Sequence, residues 1–145
     1  MKILILNHSD NNGGAARASH RLYESLRNYG IDAKMLVHEK ISEDKNIIGP
    51  SSKMEKGIAR FRSLVDSMPE RFRNQRSREP FNTAWLRSCN IIKKINKINP
   101  DIVHLHWICG GMMSIEDIAL IKFPIVWSLH DMWAFSGGSH YSESS

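Results

Sequence analysis

The chain opens on an unbroken apolar run, Ile3-Leu4-Ile5-Leu6, bounded by Lys2 and Asn7. A short apolar run with polar ends suits a strand buried on both faces of a parallel sheet. The polar stretch Asn7-His8-Ser9-Asp10-Asn11-Asn12-Gly13-Gly14 follows as a loop. The period then changes. Ala15, Ala18, Leu22 and Leu26 fall at steps of three and four, which predicts a helix that Gly30 is placed to end. Ala33-Lys34-Met35-Leu36-Val37 reads as a second strand, so residues 2–37 make a β-α-β unit.

The middle is less regular. Residues 39–53 are polar and loop-like. Met54, Ile58, Phe61, Leu64, Val65 and Met68 then form an amphipathic helical pattern that stops before Pro69. Residues 69–82 read as an extended excursion. A further helix is predicted from about Thr83, with Trp85, Leu86, Cys89, Ile92 and Ile95 facing inwards, and Asn99-Pro100 ends it.

The last third returns to strands. Residues 101–107, Asp-Ile-Val-His-Leu-His-Trp, are a strand and Gly110-Gly111 a turn. Ser114 with Asp117 three positions on has the form of a capping box, opening a short helix through Ile121. Pro124-Ile125-Val126-Trp127-Ser128-Leu129 is a last buried strand. This order predicts an α/β class: a Rossmann-like parallel sheet of at least four strands with helices on both faces.

The length of 145 residues allows one domain, and 41% hydrophobic with 24% charged residues excludes a disordered, collagen-like or coiled-coil chain. No apolar run approaches the ~20 residues of a membrane span. The N-terminus lacks the apolar region of about 7–15 residues of a signal peptide, so a cytoplasmic chain is expected. Cys89 and Cys109 are too few for a disulfide scaffold and lack metal-type spacing, so both are read as buried thiols. Charge changes the picture more. The net charge is +5, yet residues 53–97 alone carry twelve basic against four acidic side chains. This segment is either a solvated helix face and loop, or a patch for anionic lipid headgroups or a phosphate-bearing acceptor. Nucleic acid has little support, because no aromatic residues interleave with the basic ones in a recognised motif.

In an open parallel sheet, ligands bind beyond the carboxyl ends of the strands. Three polar clusters fall there: Asn7 to Gly14, His104 to Gly111 and His130 to Gly138. Gly13-Gly14 before a helix N-terminus either serves the turn or lets a phosphate or sugar hydroxyl approach the backbone. It is neither a P-loop nor a dinucleotide fingerprint. His104 and His106 share one face of their strand, as core histidines or as ligand-facing ones. A metal is not expected, because no third ligand is obvious. His130-Asp131 is the most chemical pair. The His ring can reach a ligand and Asp131 can orient it or accept a proton, or else Asp131 caps a helix with His130 packed beneath. No Gly-x-Ser-x-Gly elbow supports a hydrolase.

Three segments carry a resemblance: residues 1–7 with Gly13-Gly14-Ala15-Ala16-Arg17; Asn99-Pro100-Asp101-Ile102-Val103-His104-Leu105-His106-Trp107; and residues 124–138, Pro-Ile-Val-Trp-Ser-Leu-His-Asp-Met-Trp-Ala-Phe-Ser-Gly-Gly. They resemble the N-terminal domain of bacterial family 4 glycosyltransferases, above all those building capsular, colanic-acid-like or O-antigen polysaccharide. The resemblance implies one half of a GT-B fold, in which two Rossmann-like domains face each other across a cleft. It implies a retaining enzyme that moves a sugar from a nucleotide-sugar donor to a glycan or polyprenyl-diphosphate-linked acceptor, with no cofactor and no metal.

Carried over, His130 contacts the transferred sugar with Asp131 in support, and Gly13 and Gly14 line the cleft near the donor phosphates. Arg17, His106, Trp107 and Trp133 complete the expected substrate-binding set. The basic excursion at about 53–98 would lie towards a polyprenyl-diphosphate-linked acceptor or towards the membrane, as a peripheral contact at its inner face. The expected unit is a single acceptor-side domain over 1–145, with the donor domain beyond it or on a separate chain, and little transfer by this half alone. Relatives often carry Cys at the position of Ser139 and again near Ser145, which leaves His140 without an assigned role. The alternative is a non-catalytic domain docking on membrane or a partner chain through its basic face.

Overall fold

In a computed structural model that describes residues 1–69 and 81–140, five parallel strands form one sheet in the order β3-β2-β1-β4-β5. They are β1 (Lys2–Ser9), β2 (Asp32–Glu39), β3 (Ile47–Ile48), β4 (Ile102–Leu105) and β5 (Ile125–Trp127). The helices are α1 (Gly14–Asn28), α2 (Lys53–Asp66), α3 (Cys89–Ile98), α4 (Ile115–Ala119) and α5 (Trp133–Ser136). The α/β Rossmann-like architecture has the form of one half of a GT-B fold. The apolar run of β1 takes the centre, pairing Ile3 with Ala33 on one side and with Ile102 on the other. A central strand has no wet face, and Ile3 to Asn7 are all buried.

Alternation along β1 divides the core. Ile3 and Ile5 pack with Met35, Val37, Ile47 and Tyr23 beneath α1. Leu4 and Leu6 pack with Val103, Leu105, Ile95 and Met112 on the opposite face. His104 is registered with Ile5, which puts it and His106 on the α1 side of the sheet. The order of winding reverses between β1 and β4, so their carboxyl ends frame the topological switch point.

Local signals hold well. Gly30 ends α1 at φ 76°, and Ser114 and Asp117 form the expected capping box. Four expectations need correction. The stretch 39–53 contains β3, a two-residue edge strand that pairs with Met35 and Leu36. The third helix starts at Cys89 rather than Thr83, and Trp85 is exposed. Two side chains capture the backbone before it: Asn82 Oδ1 accepts the Ala84 N–H at 2.9 Å, and Asp117 Oδ2 accepts that of Ser88 at 2.7 Å. Ala84 sits at φ 45°, which breaks any helix there. β5 is not buried. Among the described residues it pairs only with β4, and Ile125 and Val126 are exposed. The buried side of α1 runs through Ala16, Ser19 and Tyr23, one position on from the predicted stripe, with Leu22 and Leu26 at its margin.

α2 forms as the pattern predicts but docks by its polar side. Ala59 and Asp66 are its buried residues, whereas Met54, Ile58, Phe61 and Leu64 are more than half exposed. The reason is the Gly110-Gly111 turn, whose backbone it meets. Ser63 Oγ donates to the Gly110 carbonyl at 2.8 Å and Arg62 Nε to that of Gly111 at 3.1 Å. Arg62 also donates to the carbonyls of Leu86 and Arg87, at 3.1 and 2.9 Å. Residues 70–80, the remainder of the extended excursion and much of its basic charge, lie outside the described residues, as do residues 141–145. No helix among the described residues is long and apolar enough to cross a membrane.

Candidate functional site

The switch point is laced together by backbone and amide groups. His8 N–H donates to the Trp107 carbonyl at 2.7 Å, and Trp107 N–H returns to Asn7 Oδ1 at 3.0 Å. The buried Asp10 carboxylate accepts the N–H groups of Ile41 and Ser42 at 2.9 and 2.8 Å, tying the loop after β1 to the loop after β2. These bonds fix where the side chains beyond the strands point.

Two groups of side chains stand on this frame. In the first, the rings of His104 and His106 lie 4.6 Å apart and those of His106 and His130 5.0 Å apart, the latter stacked. His106 Nδ1 and His130 Nε2 share a hydrogen bond at 2.8 Å, and His104 Nε2 meets Ser128 Oγ at 2.9 Å. His106 is buried, whereas His130 is exposed at the mouth. Burial, then the neighbouring His104 and His130, hold the His106 imidazole down to about 4. His104 is lowered by burial and by His130. Near neutral pH His106 is therefore an uncharged imidazole.

The second group is centred on Asp131. Its Oδ2 accepts the Trp107 indole N–H at 3.2 Å and the His140 Nδ1–H at 2.5 Å, and its Oδ1 accepts the Trp133 N–H at 3.0 Å. Asp131 thus organises the chain around the start of α5. No hydrogen bond joins it to His130. Trp133 is buried and donates its indole N–H to the Asn82 carbonyl at 2.7 Å. Cys109 is a buried thiol as expected, pushed upward by burial and by Asp131 and Asp66, whereas nothing is described of the Cys89 side chain.

Gly13, Gly14 and Arg17 stand exposed at the N-terminus of α1. Gly13 adopts φ 97° and ψ 173°, a conformation open to glycine alone, and among the described residues no side chain caps the first turn. A Cβ at Gly14 would meet nothing within 4 Å, so a ligand has room at the first-turn amides. No hydrogen bond or ring contact joins these three residues to the histidines.

The structure adds residues that the pattern did not single out. His8 donates Nδ1–H to the Cys109 carbonyl at 3.0 Å, and its ring lies 5.1 Å from His38 and 5.3 Å from Trp107. Burial, then His8, holds His38 down to about 4. His140 is buried against Asp131. The only sequence signal for His8 was its place in the polar cluster Asn7 to Gly14 that follows the first apolar run. Among the described residues, no three His, Cys, Asp or Glu side chains converge as a metal site. An apolar hollow of about 430 Å³ borders the site, with Ile115, Ile118, Trp127 and Trp133 in its walls. Its two tryptophans also line the smaller hollow that holds His106, His130 and Asp131.

An open parallel sheet with polar loops gathered at its switch point defines a domain of the Rossmann-like class, whose ligands as a rule bind at that point. The glycosyl transfer chemistry comes from the sequence match: the glycosyl transferase 4-like family model covers residues 25–143, and the chain belongs to that family. No curated protein and no solved structure matches the sequence.

Proposed function

We propose that this domain is the acceptor side of a retaining glycosyltransferase that takes a sugar from a nucleotide-sugar donor. The observation that carries the reading is His130. It is an exposed imidazole beyond the carboxyl end of β5, backed by the buried His106, in a chain of the glycosyl transferase 4-like family. There it would hydrogen-bond an oxygen of the transferred sugar. The uncapped first turn of α1, reached through Gly13 and Gly14, would stabilise charge on the departing diphosphate. A second Rossmann-like domain would supply the donor's main contacts, with the nucleotide-sugar bound as substrate and not as a cofactor. Trp107 and Trp133, with the adjoining apolar hollow, would shape the acceptor side.

A lipid-linked acceptor at a membrane surface is favoured by α2. Its outward stripe of Met54, Ile58, Phe61 and Leu64 is flanked by the exposed Lys53, Lys56 and Arg60. An apolar stripe edged by basic residues is the pattern of a helix lying in the interface of an anionic bilayer.

The test is transfer of labelled sugar from a panel of nucleotide-sugars to lipid-linked acceptors by the chain as encoded in its gene. Product is expected from one donor. Replacement His130→Ala should lower kcat/KM roughly 5- to 30-fold, the worth of about one to two kcal/mol of hydrogen bonding. It should weaken nucleotide-sugar binding far more than binding of the nucleoside diphosphate alone. Absence of product and of nucleotide-sugar binding would leave a non-catalytic docking domain as the better reading.

A further inference from the structure

The contact between His106 and His130 constrains the protons of both rings. Two neutral imidazoles share a hydrogen bond only when one nitrogen carries hydrogen and the other is bare. His106 Nε2 is buried with no hydrogen-bond partner among the described residues. If His130 Nε2–H donated to His106 Nδ1, neutral His106 would carry its hydrogen on Nε2. That would bury a donor with nothing to receive it. If His106 Nδ1–H donates instead, the buried atom is a bare acceptor. Orphaned buried donors are rarer in folded proteins than under-used acceptors. A doubly protonated His106 would avoid the choice, but burial together with His104 and His130 disfavours it near neutral pH.

We propose that His106 is a positioning residue: its Nδ1–H donates to His130 Nε2 and so holds His130 with its hydrogen on Nδ1. Among the described residues the His130 ring is held through Nε2 alone, and the residue is exposed. The remaining ring nitrogen is then a fixed N–H donor, able to bond an oxygen lone pair of a ligand and unable to accept from a hydroxyl. This assigns His106, which sequence placed among the substrate-binding residues, to the layer behind the ligand. It also gives the exposed ring a direction of hydrogen bonding. The significance for a sugar oxygen rests on the glycosyl transfer reading, whereas the tautomer itself does not.

The experiment is two-bond proton–nitrogen correlation spectroscopy of the full chain labelled with nitrogen-15 in its histidines. It is run at pH 8, above the ordinary imidazole value of about 6.5, without substrate. His130 should show a protonated Nδ1 and a bare Nε2. Replacement His106→Asn, whose amide nitrogen reaches the place of Nδ1, should keep that pattern. Replacement His106→Phe, which keeps a flat ring and removes the donor, should turn the majority of His130 over to the Nε2–H form that free imidazole side chains prefer. A wild-type His130 protonated on Nε2 overturns the proposal, and so does a His106→Phe protein with an unchanged His130. If the Phe variant does not fold, the wild-type tautomer decides alone. Because no substrate is present, failure here leaves the transferase reading standing, and failure of the transfer assay leaves this result standing.

Discussion

Asp66, near the end of α2, accepts the backbone N–H of Gly111 at 2.9 Å across 45 positions of sequence. Asp66 is buried, and with Ser63 and Arg62 it clamps the helix to the turn after β4. Replacement Asp66→Ala leaves a buried N–H without its partner. A loss of roughly 1–3 kcal/mol of stability is expected, read as a lower urea midpoint. An unchanged midpoint would show that α2 is held by its other contacts.

The same turn tolerates no side chain. Gly111 sits at φ 79°, and a Cβ there would lie 2.8 Å from the Arg62 backbone. Gly111→Ala should cost more than about 1 kcal/mol. Gly14 is the control, since it is helical and open. Gly14→Ala should leave stability equal or slightly raised, while crowding any phosphate at the α1 amides. Paired denaturation and pyrophosphate-binding measurements separate the two effects. A Gly14→Ala protein that loses stability would show that this position serves the turn alone.

Acid should weaken the fold through its histidines. His38 and His106 are held down to about 4, chiefly by burial, against an ordinary value of 6.5. The unfolded chain therefore binds protons that the folded one refuses as pH falls from about 6.5 to about 4. The stability at stake is complete above about 6.5 and is lost across that window. The slope is at most about 1.4 kcal/mol per pH unit for each ring, less where water screens it. Glu55, held down to about 2 by the Ser51 and Ser52 N–H groups, acts only below its ordinary value of 4.5. A melting temperature flat from pH 8 down to pH 4.5 would contradict this account.

The stripe on α2 can be altered without touching the core. Phe61 is 66% and Leu64 58% exposed, so Phe61→Glu with Leu64→Glu should change stability by less than about 0.5 kcal/mol per site. Sedimentation with vesicles rich in phosphatidylglycerol should carry the native chain down and lose it in the double variant. Neutral vesicles should bind neither. Equal sedimentation of both proteins would remove the membrane role of α2.

What could be read from the sequence was what neighbours in the chain decide. The run at Ile3–Leu6, the Gly30 stop and the Ser114–Asp117 box are set within a few residues. The facing of α2 is not, because the carbonyls that draw its polar side inward belong to residues 110 and 111. The late start of α3 escaped for the same reason, with Asp117 taking the Ser88 N–H from 29 positions away. At the site, the sequence paired His104 with His106 and His130 with Asp131, each pair within its own strand end. Their partnerships come from the register that pairs His104 with Val126 and so brings Ser128 and His130 alongside. The sequence offers Asp131 either as a support for His130 or as a helix cap, and its carboxylate holds Trp107, Trp133 and His140, residues 2–24 positions away. His8 and His38 carried no periodic or motif signal at all.

The central strand is also the first of the five strands to be made. β1 can close against β2 once residues 32–39 have left the ribosome, but its other edge waits for residues 102–105. At about 5–20 residues per second, that edge stays bare for about 3–13 s of synthesis. During that interval a nascent Ile-Leu-Ile-Leu strand offers unpaired amides to any passing strand. Silent codon changes that slow translation between residues 40 and 101 should therefore lower the soluble yield of an unchanged polypeptide.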